Sequence, residues 1–454
     1  MAKIFLISGN LTREPYPVYP IGMAMVAGAL REAGHSVVEH DFLVEGASAE
    51  ACARAAAKAA PDYIGISIRN IDNTDSVSLD SYLEPYRQLT AALRKATNVP
   101  IILGGAGYSL FADALLEELG ADYGVAGEGE KMVLDLIKAL EAGKAPAHRV
   151  LRSNQPLDAG DIHAHNRNAV LTDYYLREGG MLNIQTKRGC PHRCAYCTYP
   201  LIEGPTYRHR SPTAVADEFE ALRDQYKADY IAITDSVFND AQNRYLEIAE
   251  ELARRENPIP WMCFMRPQAF IISEVELLHR AGLRSVEWGT DCSTDATLQG
   301  MQKDFTWEEV VHSNRLFAGS GIANGHFIIF GGPDETPDTV SRGLENIAAL
   351  DHCVVFAFCG VRILPGTAIH RRSIEEGLIE ADRKLLDAAF YFSPQVERES
   401  VHRAILESFE GRMDRVYPPG QDLAKIQAFH RMGYRGPVWD MLLAGNRRRK
   451  ENAS

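Results

Sequence analysis

At 454 residues the chain is long enough for about three structural units and a sizeable core. Hydrophobic residues make up 46% and charged residues 24%, which excludes a disordered or fibrous protein. Acidic residues outnumber basic ones 61 to 48, so no nucleic-acid partner is expected, because phosphate neutralisation needs Lys and Arg in excess. No apolar run reaches the roughly 18 to 20 residues of a membrane span. The opening run after Met1 is too short for a signal-peptide core and reads as a buried strand, which makes the cytoplasm the expected compartment. Thiols stay reduced there, so the eight cysteines are read as ligands or core residues. Cys52, Cys263, Cys292, Cys353 and Cys359 are scattered, whereas Cys190, Cys194 and Cys197 fall close together.

The first third alternates strand and helix. Strands are expected at Lys3–Ser8, Ser36–Asp41, Tyr63–Ser67, Pro100–Leu103 and Tyr123–Ala126. Helices are expected at Gly22–Ala33, Ser48–Ala60 with Ser48 as N-cap, Tyr82–Ala96 and Ala112–Leu119. This spacing implies a doubly wound, Rossmann-like α/β domain over residues 1–145, with its ligand beyond the carboxyl ends of the strands. Those ends carry Ser8 and Asn10, then Ser67, Arg69 and Asn70, then Gly104, Gly105 and Tyr108, and finally Gly127 and Glu128. Small residues there would let a large flat ligand approach the backbone; for any one loop, a glycine that merely ends a strand is an equal reading. Gly105-Ala106-Gly107 lacks the third glycine of a nicotinamide fingerprint, and no Gly-Lys-Ser/Thr phosphate loop occurs. Residues 146–180 read as a linker. Asp161-Ile162-His163-Ala164-His165-Asn166 looks like a metal cluster, but no regular element brings its two His together.

The informative segment is Gly189-Cys190-Pro191-His192-Arg193-Cys194-Ala195-Tyr196-Cys197. A structural zinc site wants four protein ligands, and no fourth Cys follows, although His192 could serve. Three thiolates are what a cubane cluster needs if one iron is to stay open for a substrate.

This spacing, with an aromatic residue before the third Cys, resembles the radical S-adenosylmethionine (SAM) superfamily. The resemblance continues through strands at Leu182–Thr186, Tyr230–Thr234, Trp261–Phe264, Ser285–Gly289, His326–Phe330 and Val354–Arg362, which match the family's partial (β/α)6 barrel over residues 181–375. It implies a [4Fe-4S] cluster on Cys190, Cys194 and Cys197, and SAM contacts from Tyr196, Asp235, Ser236, Gly289, Thr290, Asp291 and Glu335. The usual Gly-Gly-Glu is absent at Asp235-Ser236, and Asp291 stands where relatives often carry Glu. Phe330-Gly331-Gly332-Pro333-Asp334-Glu335-Thr336 and Leu364-Pro365-Gly366-Thr367 resemble the family's turns after strands five and six.

A doubly wound domain before such a barrel resembles the cobalamin-binding subfamily, and Arg69–Asn73, Tyr199–Gly204 and Asp235–Asn239 resemble a bacterial branch usually linked to lipid biosynthesis. The Asp-x-His-x-x-Gly motif is missing, so a bound cobalamin would lack a His lower ligand. The resemblance implies an enzyme that cleaves SAM reductively and abstracts hydrogen from an unactivated carbon, with cobalamin-dependent methylation or other C–C bond formation. A cobalamin-independent dehydratase, mutase or cyclase with a vestigial first domain is the alternative, and a zinc-stabilised binding module a third. Expected partners are a small-molecule or lipid-like substrate and an external electron donor such as flavodoxin or ferredoxin. Tyr207-Arg208-His209-Arg210 is a solvated face or an anion site, and the remaining cysteines are core residues. Residues 376–454 read as a helical cap and tail, ending in the polar Arg447–Lys450.

Overall fold

The structure, a computed structural model, describes residues 1–454 apart from 14, 153–155, 163–165, 256–257, 421–422 and 444–454. Its first sheet comprises β1 (Lys3–Ser8), β2 (Ser36–Asp41), β3 (Tyr63–Ser67), β4 (Ile101–Gly104), β5 (Tyr123–Ala126) and β6 (Val150–Arg152). All pair in parallel, in the order β2-β1-β3-β4-β5-β6. Alternation along β1 sends Ile4 and Leu6 to a core with Met23, Ala27 and Leu136, and Phe5 and Ile7 to a second core with Cys52, Ala56 and Leu89. A parallel sheet must be covered on both faces in this way. Strand order reverses between β1 and β3, the switch point where such sheets take ligands. Register sets Asp41, Ser8, Ser67 and Gly104 side by side along the carboxyl edge. Ser48 caps the helix Ala49–Ala59 by accepting from the Ala51 N–H at 3.2 Å.

The stretch 146–180 is more than the linker expected of it. β6 is the edge strand of the first sheet, and the helix Ala169–Gly179 buries Leu171 and Tyr175. Asn168 caps that helix, accepting from Val170 and Leu171 N–H at 3.0 and 3.2 Å. Three residues are too short for β6 to show a period in the sequence. His163 and His165 lie outside the described residues, as does Arg447–Lys450.

The second half opens with β7 (Leu182–Ile184), then β8 (Lys187–Arg188) and β9 (Arg208–His209), which pair antiparallel around the cysteine loop. There follow β10 (Ile231–Ile233), β11 (Trp261–Met265), β12 (Leu283–Asp291), β13 (Ala323–Phe330) and β14 (Cys353–Cys359). β15 (Val361–Arg362) and β16 (Phe390–Tyr391) form a second antiparallel pair, and β17 (Arg415–Val416) ends the series. The barrel sheet runs β17-β14-β13-β12-β11-β10-β7, all parallel, with β7 and β17 as open edges. The six predicted barrel strands are present in order. β17 is a seventh, so the region after 376 is not purely helical; two residues carry no periodic signal. Trp261 and Trp288 are fully buried against Phe219, Ile248 and Phe317, each such side chain contributing roughly 1.5–3 kcal/mol. Cys263, Cys292, Cys353 and Cys359 are buried too, and burial pushes their thiols up and keeps them neutral. No helix among the described residues is long and apolar enough to cross a membrane.

Candidate active site

β8 and β9 tie off a loop containing Gly189–Cys197 and the short helix Tyr199–Ile202. Its neck is closed by the Cys190 N–H donating to the Gly204 carbonyl at 3.0 Å and the Gly189 N–H donating to the Glu203 carboxylate at 3.0 Å. Gly189 has φ +88°, and a side chain there would overlap the Thr206 carbonyl, so the neck admits only glycine. Ala195 is pinned on both sides: its N–H donates to the Met301 carbonyl and its carbonyl accepts from the Ile369 N–H, each at 2.9 Å.

The three thiols share one electrostatic neighbourhood. Burial, with the charge of Cys194 adding, pushes Cys190 up, and the same two causes push Cys197 up to about 12. The Tyr207 hydroxyl is buried near Cys190, and the Lys303 ammonium lies close enough for its charge to act on Cys194 and Cys197. His192 turns instead to Asp304, at 3.4 Å. Among the described residues, no three Cys, His, Asp or Glu side chains converge on a single metal ion. Three thiols without a fourth ligand fit a cluster with one open iron and count against zinc.

Of the predicted SAM contacts, Tyr196, Gly289 and Asp291 come together beside Cys194. The Tyr196 hydroxyl donates to Asp291 at 2.6 Å, Asp291 pairs with Lys303, and Lys303 donates to the Gly289 carbonyl at 3.3 Å. Ser236 stays at the loop, donating to the Gly189 carbonyl at 3.0 Å. Three others are turned to structural work. Thr290 shares a 2.8 Å hydrogen bond with buried His326 on the helix-facing side of β12. Asp235 accepts from the Thr186 N–H and hydroxyl at 2.7 and 2.5 Å, tying the end of β10 to the end of β7. Glu335 closes its own turn by accepting from the Gly331 N–H at 2.5 Å, and burial pushes its carboxyl up to about 7. Each is a buried polar group that found its partner within the fold.

On the first sheet, Ser8 lies beside Asp41 in register, Asn10 accepts from the Thr12 N–H at 3.2 Å, and Asn70 reaches Thr12. Arg69 is exposed beyond Ser67, and its charge acts on Tyr199 of the cysteine loop. A Cβ added at Gly104 would meet nothing nearer than the Val125 carbonyl at 3.7 Å, and at Gly127 nothing nearer than the Ile202 carbonyl at 3.9 Å. These two glycines therefore leave a cradle open along the edge. Gly105, at φ +99°, does not: a side chain there would press on the Ile68 carbonyl at 2.5 Å. Tyr108 is buried and lies over Gly124 inside the sheet, so it does not line the edge. Glu128 faces cations and a backbone N–H. It accepts from Arg188 at 3.0 Å, Arg208 at 2.9 Å and the Leu157 N–H at 2.7 Å, while Glu130 takes the other end of Arg188 at 2.6 Å. A buried carboxylate needs such cations, and this cluster joins the first sheet to the cysteine loop. Arg208 is spent there and Arg210 on Glu218 at 2.6 Å, so the basic run is neither solvated nor an anion site.

Sequence reading missed Lys303, Arg188 and Glu287. Glu287 sits on β12, accepting from the Tyr16 hydroxyl at 3.3 Å and the Trp439 indole N–H at 3.1 Å, and burial pushes it up to about 7. A lone acid between Val286 and Trp288 was the available signal; Lys303 and Arg188 offered none. On β13 and β14, the rings of Phe327 and Phe356 stack at 5.0 Å, and Phe358 lies at 6.3 Å from Phe327. These rings are part-exposed, whereas the alternate residues Ile328 and Ala357 are buried.

A doubly wound domain clasped to an open parallel barrel, with a three-thiol loop at the join, defines an enzyme of two cofactor-bearing domains. The comparisons agree. Residues 8–137 match the B12 binding domain and residues 184–345 the radical SAM superfamily, and the chain belongs to the radical SAM proteins that carry an amino-terminal B12 binding domain. The tryptophan 2-C-methyltransferase of Streptomyces laurentii is 25% identical over 70% of this chain and 65% of its own. The anaerobic magnesium-protoporphyrin IX monomethyl ester cyclase of Rubrivivax gelatinosus is 24% identical over 71% and 60%. The chain thus spans less than two thirds of either relative. In fold it resembles the radical SAM methyltransferase TsrM of Kitasatospora setae, solved with tryptophan and a SAM analogue, at a TM-score of 0.87, 23% identity and full coverage of both chains.

Proposed function

We propose that the chain is a cobalamin-dependent radical SAM enzyme that transfers a methyl group, or forms another C–C bond, on a small flat apolar molecule. The observation that carries this reading is the clasp of Arg188 by Glu128 and Glu130, which sets the open edge at Gly104 and Gly127 against the cysteine loop. When bound, the cluster holds and activates SAM and the cobalamin carries the alkyl group. Cys190, Cys194 and Cys197 would hold the cluster, and Tyr196, Ser236, Gly289 and Asp291 would border SAM. Ser67, Arg69, Asn70, Gly104 and Gly127 would border cobalamin, with Ser8 and Asn10 supporting the edge from beneath. Of the described histidines in the first domain, His35 precedes β2, His40 lies within it and His148 precedes β6, so none is on a carboxyl-end loop.

The part-exposed rings of Phe264, Phe327, Phe356 and Phe358 would receive a flat substrate and keep water from it. The substrates in the two relatives' names, tryptophan and a porphyrin ester, are also flat and aromatic. An external donor such as flavodoxin or ferredoxin would supply electrons, in a cytoplasm that keeps the thiols reduced. The test is anaerobic incubation of the reconstituted protein with methyl-labelled SAM, cobalamin and a panel of aromatic small molecules. Label in a carbon-bound methyl group supports the reading. Substrate rearranged or dehydrated without label, and without need of cobalamin, overturns it.

A further inference from the structure

We propose that Lys303 is a positioning residue that raises the reduction potential of the iron–sulfur cluster; this rests on the reading above that Cys190, Cys194 and Cys197 hold one.

Lys303 lies outside the cysteine loop, on the turn that ends the helix Asp295–Gly300, where its N–H donates to the Leu298 carbonyl at 2.9 Å. Its side chain is only 6% exposed. The ammonium pairs with Asp291, donates to the Gly289 carbonyl at 3.3 Å and lies 5.5 Å from the centre of the ring of Tyr196, which stands between Cys194 and Cys197 in the loop, so its charge acts on Cys194. Its charge also acts on Cys197. Away from bulk water a charge is screened less over these distances. Adding one electron to a cluster adds one negative charge, which a cation at the ligating sulfur stabilises more in the reduced than in the oxidised form. Hydrogen bonds to ligating sulfur and local net charge are the levers by which proteins set such potentials.

Lys303 also ties Asp291 and, through it, Tyr196 back to the loop, so it has a purely mechanical role available. A potential separates the two, because Lys303→Met and Asp291→Asn both loosen the clamp, whereas a charge effect moves the potential in opposite directions. The full chain is loaded anaerobically with iron and sulfide, and the cluster is titrated with dithionite and redox mediators while its reduced signal is followed by electron paramagnetic resonance. Lys303→Met should keep its iron yet show a reduced-to-oxidised ratio about tenfold lower at a fixed potential, equivalent to about 59 mV for one electron. Lys303→Arg, which keeps the charge, should stay near the parent. Asp291→Asn, which keeps the ammonium and removes its counter-charge, should shift the ratio the opposite way. Iron-loaded Lys303→Met and Asp291→Asn proteins that both titrate with the parent would overturn the proposal. Should Lys303→Met assemble no cluster, an Asp291→Asn protein that fails to move upward overturns it. A parent chain that binds no iron contradicts the cluster reading instead.

Discussion

Glu287 holds its proton near neutrality because burial penalises the carboxylate more than the Tyr16 and Trp439 hydrogen bonds reward it. Its carboxyl titrates at about 7 in the folded chain against an ordinary 4.5, so the folded state binds the proton more tightly. The stability this contributes is complete below pH 4.5 and is lost as the pH rises through 7, about 3 kcal/mol in all. Glu287→Gln keeps an acceptor but cannot titrate, so its denaturation midpoint should fall less than the parent's between pH 5 and pH 8. Equal falls would show that another group is titrating. At the cysteine loop, Ala at Cys190, Cys194 or Cys197 should abolish bound iron, whereas Cys353→Ala, a substitution in the helix-facing core, should leave iron unchanged. Single residues were unevenly legible. The cysteine triad stands out by spacing, and Glu287 by being a charge in an apolar strand. Lys303 reaches the ring of Tyr196 in the cysteine loop only because a turn more than a hundred residues later folds against it.

Among the elements, the joint between the first sheet and the cysteine loop rests on Arg188, whose side chain is 7% exposed between Glu128 and Glu130. Arg188→Ala would leave both carboxylates buried without that cation and should cost about 3–5 kcal/mol, read as a lower denaturation midpoint. Pairing Arg188→Met with Glu130→Gln should recover part of the loss; no recovery would mean the ion pair is not what the arginine supplies. Gly104→Leu should fill the cradle on the sheet edge, so that cobalt retention drops at least about tenfold while iron stays bound. Strands and caps with strong local signals were readable: β2, β3 and β5 fall on the expected residues, and Ser48 caps its helix. β6 and β17 were not, being three and two residues long and held by neighbours far off in sequence. Glu128 looked like part of a ligand loop because Gly-Glu-Gly-Glu shows composition but not which cation folds against it.

For the whole molecule, what matters is that two cofactor-bearing sheets face one another, joined by buried ion pairs and hydrogen bonds. Their order and class were legible, because strand–helix alternation and the Cys-x3-Cys-x2-Cys spacing are local. The residues that hold them face to face were not, since Arg188, Arg208 and Tyr16 cross between halves far apart in sequence. The most direct measurement is the iron and cobalt content of the full chain after anaerobic loading with iron, sulfide and hydroxocobalamin, followed by gel filtration. Roughly four irons and one cobalt per chain are expected, with iron lost in the Cys190→Ala variant and cobalt lost in Gly104→Leu. Iron retained without cobalt would contradict the two-cofactor enzyme.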